Sequence, residues 1–348
     1  MSGVKDVHIN SEPVSTLVGL LINHDTTVEN FKIPYITMLH NKIKTVEFSI
    51  VGFSDVSEFQ IPLFSFFLLV YLLTVIGNLI LILLICFSPT LKTPMYFFLC
   101  NLSSLDIVYT TVTAPKLIHI FATNNGRISF TGCILQLFFF VAFWNTEYFL
   151  LTVMSYDRYV AICKPLHYTM IMNQRLCTMA AVGTWIGGML GAVSSSVVTS
   201  IATYNSTSNL NHFFCDIKVL EKVATSDTTA IRNVILAQGT LVVMTAFLLT
   251  LVSYIYIISS ILKIRSTRGK YKAFSTCASH LTVVTSFYVL IFDLYFRPKS
   301  AVSLNQGKVL TVLFAYIIPL LNPVIYSFRN TDVKEAFKRM CKSNDGRV

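Results

Sequence analysis

Charged residues are scarce in this chain of 348 residues. Asp, Glu, Lys and Arg together make up 13% of it, about half the share in an ordinary soluble domain. With only eight cysteines and 14 glycines, it has too few of either for a disulfide-rich miniprotein or a collagen repeat. Apolar residues make up 54%. Soluble globules and disordered chains are therefore excluded, and an integral membrane protein remains.

Long apolar stretches recur along the chain, each long enough to cross about 30 Å of hydrocarbon as a helix of roughly 20 residues. No charged residue occurs from Ile61 to Phe87. Such lengths favour helices, because a spanning strand needs only about 9–11 residues and alternates in polarity. The sequence predicts an all-α membrane protein, a seven-transmembrane helix bundle over 61–328. The predicted spans are about 61–87, 95–121, 133–156, 178–203, 231–262, 274–296 and 308–328.

Basic residues are concentrated on one side of these spans. More than half of the 27 Lys and Arg residues lie in the loops and the tail that share a side with the carboxyl end. The positive-inside rule makes that side cytoplasmic and residues 1–60 an extracellular N-terminal segment of a multi-pass plasma-membrane protein. The cationic face suits membrane lipids and a cytoplasmic partner, and no nucleic-acid partner is expected.

Residues 329–348 predict a cytoplasmic amphipathic helix and tail. Val333, Ala336, Phe337 and Met340 share one face of this helix, which is typical of a short helix lying in the membrane interface. Cys341, which follows them, is a candidate for palmitoylation.

Two cysteines lie where an oxidant can reach them. Cys133 begins the third span and Cys215 lies in the longest outer loop, whereas the other six fall in spans or on the reducing side. A bridge between them would fix the loop across the mouth of the bundle, and two unpaired thiols are the alternative. Asn205-Ser206-Thr207 in the same loop is a glycosylation acceptor pattern.

Two acids fall inside predicted spans, Asp106 in the second and Glu147 in the third. A charge at bilayer depth is costly, so both should face the interior of the bundle and share a proton, water or Na⁺. The alternative is that one of them is simply protonated. Asn78 and Asn322 could complete a polar cluster with them.

Asp157-Arg158-Tyr159 stands at the inner end of the third span. An Arg here can pair with its Asp in one state and with another group in a second state, which would make it a switch. Pro323, in Asn322-Pro-Val-Ile-Tyr326 of the seventh span, interrupts the helix hydrogen bonds and would allow Tyr326 to move.

Over about residues 45–340 the chain resembles the olfactory receptors of the rhodopsin-like (class A) G-protein-coupled receptors. Features that resemble the whole class are Gly77-Asn78, Asp106, Cys133, Asp157-Arg158-Tyr159, Trp185 and Asn322-Pro323 with Tyr326. Those that resemble odorant receptors are Thr93-Pro-Met-Tyr-Phe-Phe-Leu99, Leu102 to Asp106, Met154 to Tyr168, His212-Phe-Phe-Cys-Asp216, Ser253-Tyr254, Lys272 to His280 and Pro319 to Asn330.

The resemblance implies a receptor that binds a small, mostly apolar odorant and activates a heterotrimeric G protein of the stimulatory olfactory type, raising cAMP. It implies no enzyme activity, no cofactor other than the Na⁺ considered above, and a place in the cilia of olfactory sensory neurons. The residues expected to form the coupling switch are Asp157, Arg158, Tyr159, Tyr254, Asn322, Pro323 and Tyr326.

Two regions depart from that family. The family's second outer-loop disulfide is missing, since its positions hold Asn205 and Thr225, and we expect a looser roof over the bundle. Residues 1–37 have no counterpart, and both a real, disordered extension and a misassigned start stay open.

The predicted ligand pocket starts from four residues of the third span. Phe140, Val141, Trp144 and Asn145 follow an i, i+1, i+4, i+5 pattern and so share a helix face. Apolar walls with few polar groups are typical of a small-molecule site. The alternative is that the aromatic rings only pack helix against helix. By family position the facing residues are Gln238, Gly239, Ile291, Phe292, Tyr295, Val312, Ala315 and Tyr316.

Three alternative classes remain open at this stage. A class A receptor for a lipid or metabolite would share every general motif. A transporter or channel would need a polar path, which two acids at one depth do not make. An enzyme is the weakest reading, because no nucleophile, base and orienting group occur together in the sequence.

Overall fold

The computed structural model describes residues 46–52, 60–292, 304–328 and 331–345. Its main helices are α1 (Gln60–Phe87), α2 (Pro94–Thr123), α3 (Phe130–Cys163), α4 (Gln174–Ile201), α5 (Thr229–Lys263), α6 (Thr267–Ile291), α7 (304–328) and α8 (Thr331–Asp345). Short helical segments lie between them at Pro89–Leu91, Pro165–His167, Tyr168–Ile171 and Ile217–Val223. We call the last of these the loop helix.

Six helices of the described chain are long and apolar enough to cross a membrane, namely α1 to α5 and the part of α7 from Gly307 to Ser327. The apolar part of α6, Cys277–Leu290, is shorter. The predicted fold class, an all-α bundle of seven helices, is confirmed. Residues 1–45 and Tyr295 lie outside the described residues.

α3 is the central helix of the bundle. In its most apolar 18-residue window 67% is buried, against 28% for α4 and for α5, whose outward faces remain open to lipid. α5 and α7 each contain one wider, π-helical turn, at Gly239–Val243 and Leu313–Ile317. Such turns inside α-helices often occur at functional sites.

Local signals in the sequence set the helix ends. The Ser129 hydroxyl accepts the Gly132 N–H at 3.1 Å where α3 starts, and the Asn173 side chain accepts the Leu176 N–H at 2.9 Å where α4 starts. Each satisfies a backbone donor that has no partner within its helix. α2 ends at Asn124, which adopts a left-handed conformation with φ of 55°, as helix C-caps commonly do.

A three-stranded sheet covers one end of the bundle. Its strands are β1 (Glu47–Ile50), β2 (Arg127–Ser129) and β3 (Thr207–Leu210), in the order β2-β1-β3. β1 is antiparallel to β2 and parallel to β3, and the pairings place Phe48 beside Ile128 and Ser208. We call this end the sheet end. The opposite end carries Asp157 and Arg158, and we call it the ion-pair end.

α8 lies at the ion-pair end and is amphipathic as predicted. Val333 and Ala336 are buried, while Phe337 is 47% exposed. The Tyr96 hydroxyl of α2 donates to the Asp332 carboxylate at 3.2 Å, which ties the start of α8 to the bundle. The side chains of Met340 and Cys341 lie outside the described part of the chain, so palmitoylation of Cys341 stays a prediction.

Candidate functional site: a cavity and a polar switch on one helix

A cavity of about 70 Å³ lies toward the sheet end, between α3, α5 and the loop that joins α4 to α5. All four pocket residues predicted on α3 line it, and so do Gln238 and Gly239 of α5. Sequence reasoning missed the other six lining residues. The complete lining is Leu137, Phe140, Val141, Trp144, Asn145, Tyr148, Asp216, Ile217, Ile235, Gln238, Gly239 and Val243.

Aromatic rings form much of the cavity wall and also pack helix against helix. The Phe140 ring lies 4.4 Å from that of Phe214 in the covering loop, measured between centroids, and 5.7 Å edge-on from that of Trp144. Trp144 in turn lies 4.8 Å from Phe314 of α7. The rings of Phe140 and Trp144 therefore both line the cavity and pack between helices. A ligand at α3 would contact rings that touch α7 and the roof.

The predicted disulfide between Cys133 and Cys215 is present, with the two Cα atoms 5.4 Å apart. Beside it the Gln136 amide joins three segments. Gln136 accepts the Cys215 N–H at 3.0 Å and donates to the Val112 carbonyl of α2, also at 3.0 Å. These bonds hold Phe214 and Asp216 over the cavity.

Hydrogen bonds join the loop at the place where the second family disulfide would be. The Thr225 N–H donates to the Thr203 carbonyl at 2.9 Å, and the Thr203 N–H donates to the Ser226 hydroxyl at 3.0 Å. The two threonine hydroxyls also lie within 3.0 Å of each other. The two ends of the loop are thus paired without a covalent bond, and the Asn205 side chain beside them is exposed.

His212 is a buried imidazole in this roof. Its ring lies 4.8 Å edge-on from that of Phe214. Burial lowers the pKa of His212, and the nearby negative charge of Asp216 opposes that shift only in part. The imidazole is therefore neutral at physiological pH.

The facing residues predicted on α6 and α7 lie outside the lining of this cavity. The Tyr316 ring packs against Phe67 of α1 at 5.3 Å, and the Phe292 ring packs against Phe247 of α5, also at 5.3 Å. Val312 is half-buried and Ala315 is fully buried. Their contact with a ligand stays a prediction. The Ile291 side chain and Tyr295 lie outside the described part of the chain.

The two intramembrane acids are buried in the middle of the bundle, Asp106 at 2% and Glu147 at 3% exposure. The Asn322 amide of α7 donates to both oxygens of Asp106, at 3.1 and 3.0 Å. Asn78 donates to the Pro319 carbonyl at 3.1 Å. The predicted polar cluster therefore links α1, α2 and α7.

This cluster leaves oxygen atoms without a donor. Among the described residues, Glu147 Oε1, Asn78 Oδ1 and Asn322 Oδ1 are buried with no hydrogen-bond partner. A buried acceptor of this kind needs a proton, a water molecule or a cation. The donor set, oxygen atoms with two carboxylates, suits a small hard cation. No group of three or more His, Cys, Asp or Glu side chains with metal-binding geometry occurs in the described ranges.

The ion-pair end of α3 holds Arg158 in a buried pair with Asp157. The Arg158 Nε atom donates to Asp157 Oδ2 at 2.9 Å, and one terminal guanidinium nitrogen contacts the same oxygen. The Tyr168 hydroxyl donates to the other carboxylate oxygen at 2.8 Å. The guanidinium is thus held by its neighbour in the chain and can leave that neighbour only if this local set of bonds breaks.

Tyr254 of α5 pairs with His280 of α6, a residue for which the sequence predicted no separate function. Its hydroxyl lies 2.6 Å from Nδ1 of His280 on α6, and the two rings stack at 5.9 Å. The opposite nitrogen of His280, Nε2, is buried without a partner in the described part of the chain. The available signal for His280 was its place at the end of the Lys272–His280 motif. Tyr326 of α7 is buried as well.

The fold is that of a seven-helix membrane protein of the rhodopsin type. Squid rhodopsin superposes with a TM-score of 0.66, covering 81% of this chain and 85% of that one at 19% sequence identity. At this identity the match speaks for the fold alone.

The chain belongs to the olfactory receptor family. The family model described as "Olfactory receptor" matches residues 67–344. Human olfactory receptor 1L4 is 43% identical over 296 residues, which are 85% of this chain and 95% of that protein. Mouse olfactory receptor 5AR1 is 42% identical over 300 residues, 86% of this chain and 97% of that protein. The family consists of multi-pass plasma-membrane signalling receptors that respond to small molecules and couple to G proteins, and its members are not enzymes.

Proposed function

We propose that this receptor binds a small, mostly apolar, volatile odorant in the cavity beside α3 and activates a heterotrimeric G protein of the stimulatory olfactory type, raising cAMP. One observation carries the proposal. The same buried helix lines the cavity with Phe140 and Asn145 and, further along, carries the Asp157–Arg158 pair. A displacement of α3 at the cavity would therefore also move the Asp157–Arg158 pair.

The mechanism is a shift between two states. In the state described here Arg158 is paired with Asp157, and Tyr254 with His280. The ligand binds better when α6 has moved away from α3 and α5, and so it favours that state. In that state Tyr254 is separated from His280, and Arg158 is free to contact the G protein. The shift can be no larger than the difference in the ligand's affinity for the two states. Pro323 supplies the break in α7 that lets Tyr326 follow.

The acid cluster is proposed to hold Na⁺ or a shared proton in the resting state. Asp106 and Glu147 would supply the charge, and the Asn78 and Asn322 side-chain oxygens neutral ligands. A single positive charge there offsets the cost of two buried carboxylates. Because Asn322 belongs to α7, release of that charge on activation would loosen α7 from α2.

Orientation and modification complete the proposal. The sheet end faces the outside with residues 1–60, and the bundle over 61–328 is followed by a cytoplasmic helix and tail over 329–348, in the ciliary membrane of olfactory neurons. The exposed side chain of Asn205 supports glycosylation of the outer loop. Exposed basic side chains of α8, such as Lys334 and Lys338, suit anionic lipid headgroups.

The test is a screen of volatile compounds on cells that express the receptor at the surface, with cAMP as readout, repeated with Arg158→Ala. The variant should abolish the response, because it removes the group proposed to contact the G protein. Arg232→Ala is the matched control, since this exposed arginine lies at the sheet end. An undiminished cAMP response in surface-expressed Arg158→Ala would refute the mechanism. A response only to a non-volatile lipid or metabolite, or a current without G protein, would refute the assignment.

A further inference from the structure

A groove of about 450 Å³ lies where α3, α4 and α5 meet, toward the ion-pair end of the bundle. It is separate from the cavity beside Phe140, because the two share no described lining residue. Its volume falls in the range of small-molecule sites, which is about 300–1,000 Å³. The lining is Thr152, Val153, Tyr156, Tyr159, Met172, Leu176, Ala180, Leu249, Val252, Ser253 and Tyr256.

The groove is open toward the membrane. Leu249, Val252 and Tyr256 are 55%, 47% and 58% exposed, and all three belong to a helix long and apolar enough to cross a bilayer. On α3 the lining runs from Thr152 to Tyr159, a rise of about 10 Å at 1.5 Å per residue. The occupant of the groove is therefore drawn from the bilayer, and most of its body must be apolar.

The hydroxyl groups of the groove are of two kinds. The Thr152 and Ser253 hydroxyls each donate to the carbonyl four residues earlier in their own helix, at 2.8 and 2.9 Å. Tyr156, Tyr159 and Tyr256 lie nearer the ion-pair end, and no hydrogen bond joins their hydroxyls to any described residue. A phenol hydroxyl can donate as well as accept. The hydrogen-bonding capacity of the groove is thus concentrated at one end.

The described lining contains no charged side chain. The Lys164 ammonium lies outside it, 6.0 Å from the centroid of the Tyr159 ring, and Asp157 and Arg158 are paired with each other. A charged headgroup seated in the groove would lose its hydration without gaining an opposite charge. A small neutral polar group has no such requirement, so the groove suits a lipid with an uncharged head.

The three tyrosine rings form a row at the end of the groove. The centroids of Tyr156 and Tyr159 are 6.0 Å apart, and those of Tyr159 and Tyr256 are 5.9 Å apart, which joins α3 to α5. A body of fused rings can lie against such a row without losing internal rotations. A flexible acyl chain loses them when it is held in one place. The row therefore favours a rigid amphiphile over the chain of a phospholipid.

We propose that this groove binds a sterol. The fused rings lie along α3 between α4 and α5, and the sterol hydroxyl forms a hydrogen bond with the tyrosine hydroxyls at the ion-pair end. Ala180, which is half-buried on the α4 wall, is the smallest lining residue and leaves room for the rings. A sterol that binds only the folded bundle would stabilise it. The proposal goes beyond odorant binding and requires only that the bundle lies in a membrane.

The experiment uses the purified full-length receptor in nanodiscs of phosphatidylcholine. A photoreactive cholesterol analogue should label the parts of α3, α4 and α5 that border the groove, as mapped by mass spectrometry. Unlabelled cholesterol should compete with it. Cholesterol should compete about fivefold better than cholest-5-ene, which lacks only the hydroxyl, because one neutral hydrogen bond contributes roughly that factor.

Two changes with matched controls locate the site. Ala180→Phe fills the groove and should abolish the competed labelling. Val182→Phe is its control, because Val182 is 51% exposed on α4 and lies outside the lining. Tyr156→Phe combined with Tyr256→Phe should remove the advantage of cholesterol over cholest-5-ene. Tyr271→Phe, at a 75% exposed tyrosine of α6 outside the groove, should preserve it.

Three results would overturn the proposal. They are labelling that Ala180→Phe leaves unchanged, equal competition by cholesterol and cholest-5-ene in the wild type, and stronger competition by phosphatidylserine than by cholesterol. The last would assign the groove to a charged lipid. The comparison of the two sterols needs no variant, so it decides even if Ala180→Phe does not fold. No measurement here involves an odorant or cAMP, so failure would leave the proposed function untouched.

Discussion

The two ends of the bundle are held together by different kinds of interaction. The sheet end combines a disulfide, three paired strands and close ring contacts around Phe48, which is 1% exposed. The ion-pair end relies on side-chain bonds, chiefly those of Arg158 and Tyr254. Breaking the first set requires unfolding, whereas the second can exchange partners within a folded chain. The difference indicates a fixed roof over the cavity and a movable base.

Loss of the disulfide should have the largest effect on stability. Cys215→Ser would release the loop that carries Phe214 and Asp216, and loss of a native disulfide typically costs about 2–5 kcal/mol. We expect a marked fall in surface receptor and in the melting temperature of the purified protein. Cys86→Ser is the control, because Cys86 is exposed and unpaired. Equal behaviour of the two variants would show that the roof does not depend on the bridge.

Disrupting the sheet should have the second-largest effect on stability. A Cβ atom at Gly126 would stand 2.2 Å from the Ile50 carbonyl oxygen, so Gly126→Ala must push β1 away from the α2–α3 loop. Overpacking of this kind typically costs about 1–3 kcal/mol. Gly183→Ala is the matched control, since nothing lies within 4 Å of its Cβ position. Thermal unfolding measures both variants, and a Gly126→Ala protein as stable as Gly183→Ala would mean that the sheet adds nothing to the roof.

At the ion-pair end the expected effect is on signalling more than on stability. Asp157→Asn removes the charge that holds Arg158, so ligand-free cAMP per surface receptor should rise by roughly tenfold, the equivalent of about 1.4 kcal/mol. Tyr168→Phe, which removes only the hydroxyl bond to Asp157, should give a smaller rise.

The control for this pair is Asp332→Asn, a carboxylate at the same end that contacts Tyr96 of α2. It should leave ligand-free cAMP unchanged. A rise at Asp332 equal to that at Asp157 would show that any loss of charge at this end activates the receptor, and a flat response at Asp157 would show that the pair is not the restraint.

Much of the fold could be predicted because the membrane imposes it. Stretches such as 61–87 have only one way to satisfy their backbone in lipid, so apolar length alone predicts the helices. The compartment likewise singled out Cys133 and Cys215. The α3 face of Phe140 and Asn145 followed from helical spacing, which is local and needs no knowledge of neighbouring helices.

The sheet could not be predicted in the same way. β1 and β3 are four residues each, and they lie more than 150 positions apart in the chain. Strands this short carry almost no periodic signal, and their pairing depends on how the helices bring the loops together. The hydrogen bonds between Thr203 and Thr225 also depend on how the fold brings the ends of the loop together, so the sequence did not predict them. From the missing family disulfide alone we expected a looser roof.

The sequence by itself determined that this chain crosses a membrane as seven helices, which two cysteines are able to pair and which family it resembles. Hydropathy, compartment and motif order are all properties of the chain read residue by residue. Only the tertiary structure decided how the polar groups are shared. In it Gln238 bonds to α4, Tyr254 bonds to His280, and Asn145 Nδ2 has no acceptor among the described residues. The physical reason is that hydrogen-bond partners far apart in sequence are set by packing, which no pattern along the chain reports.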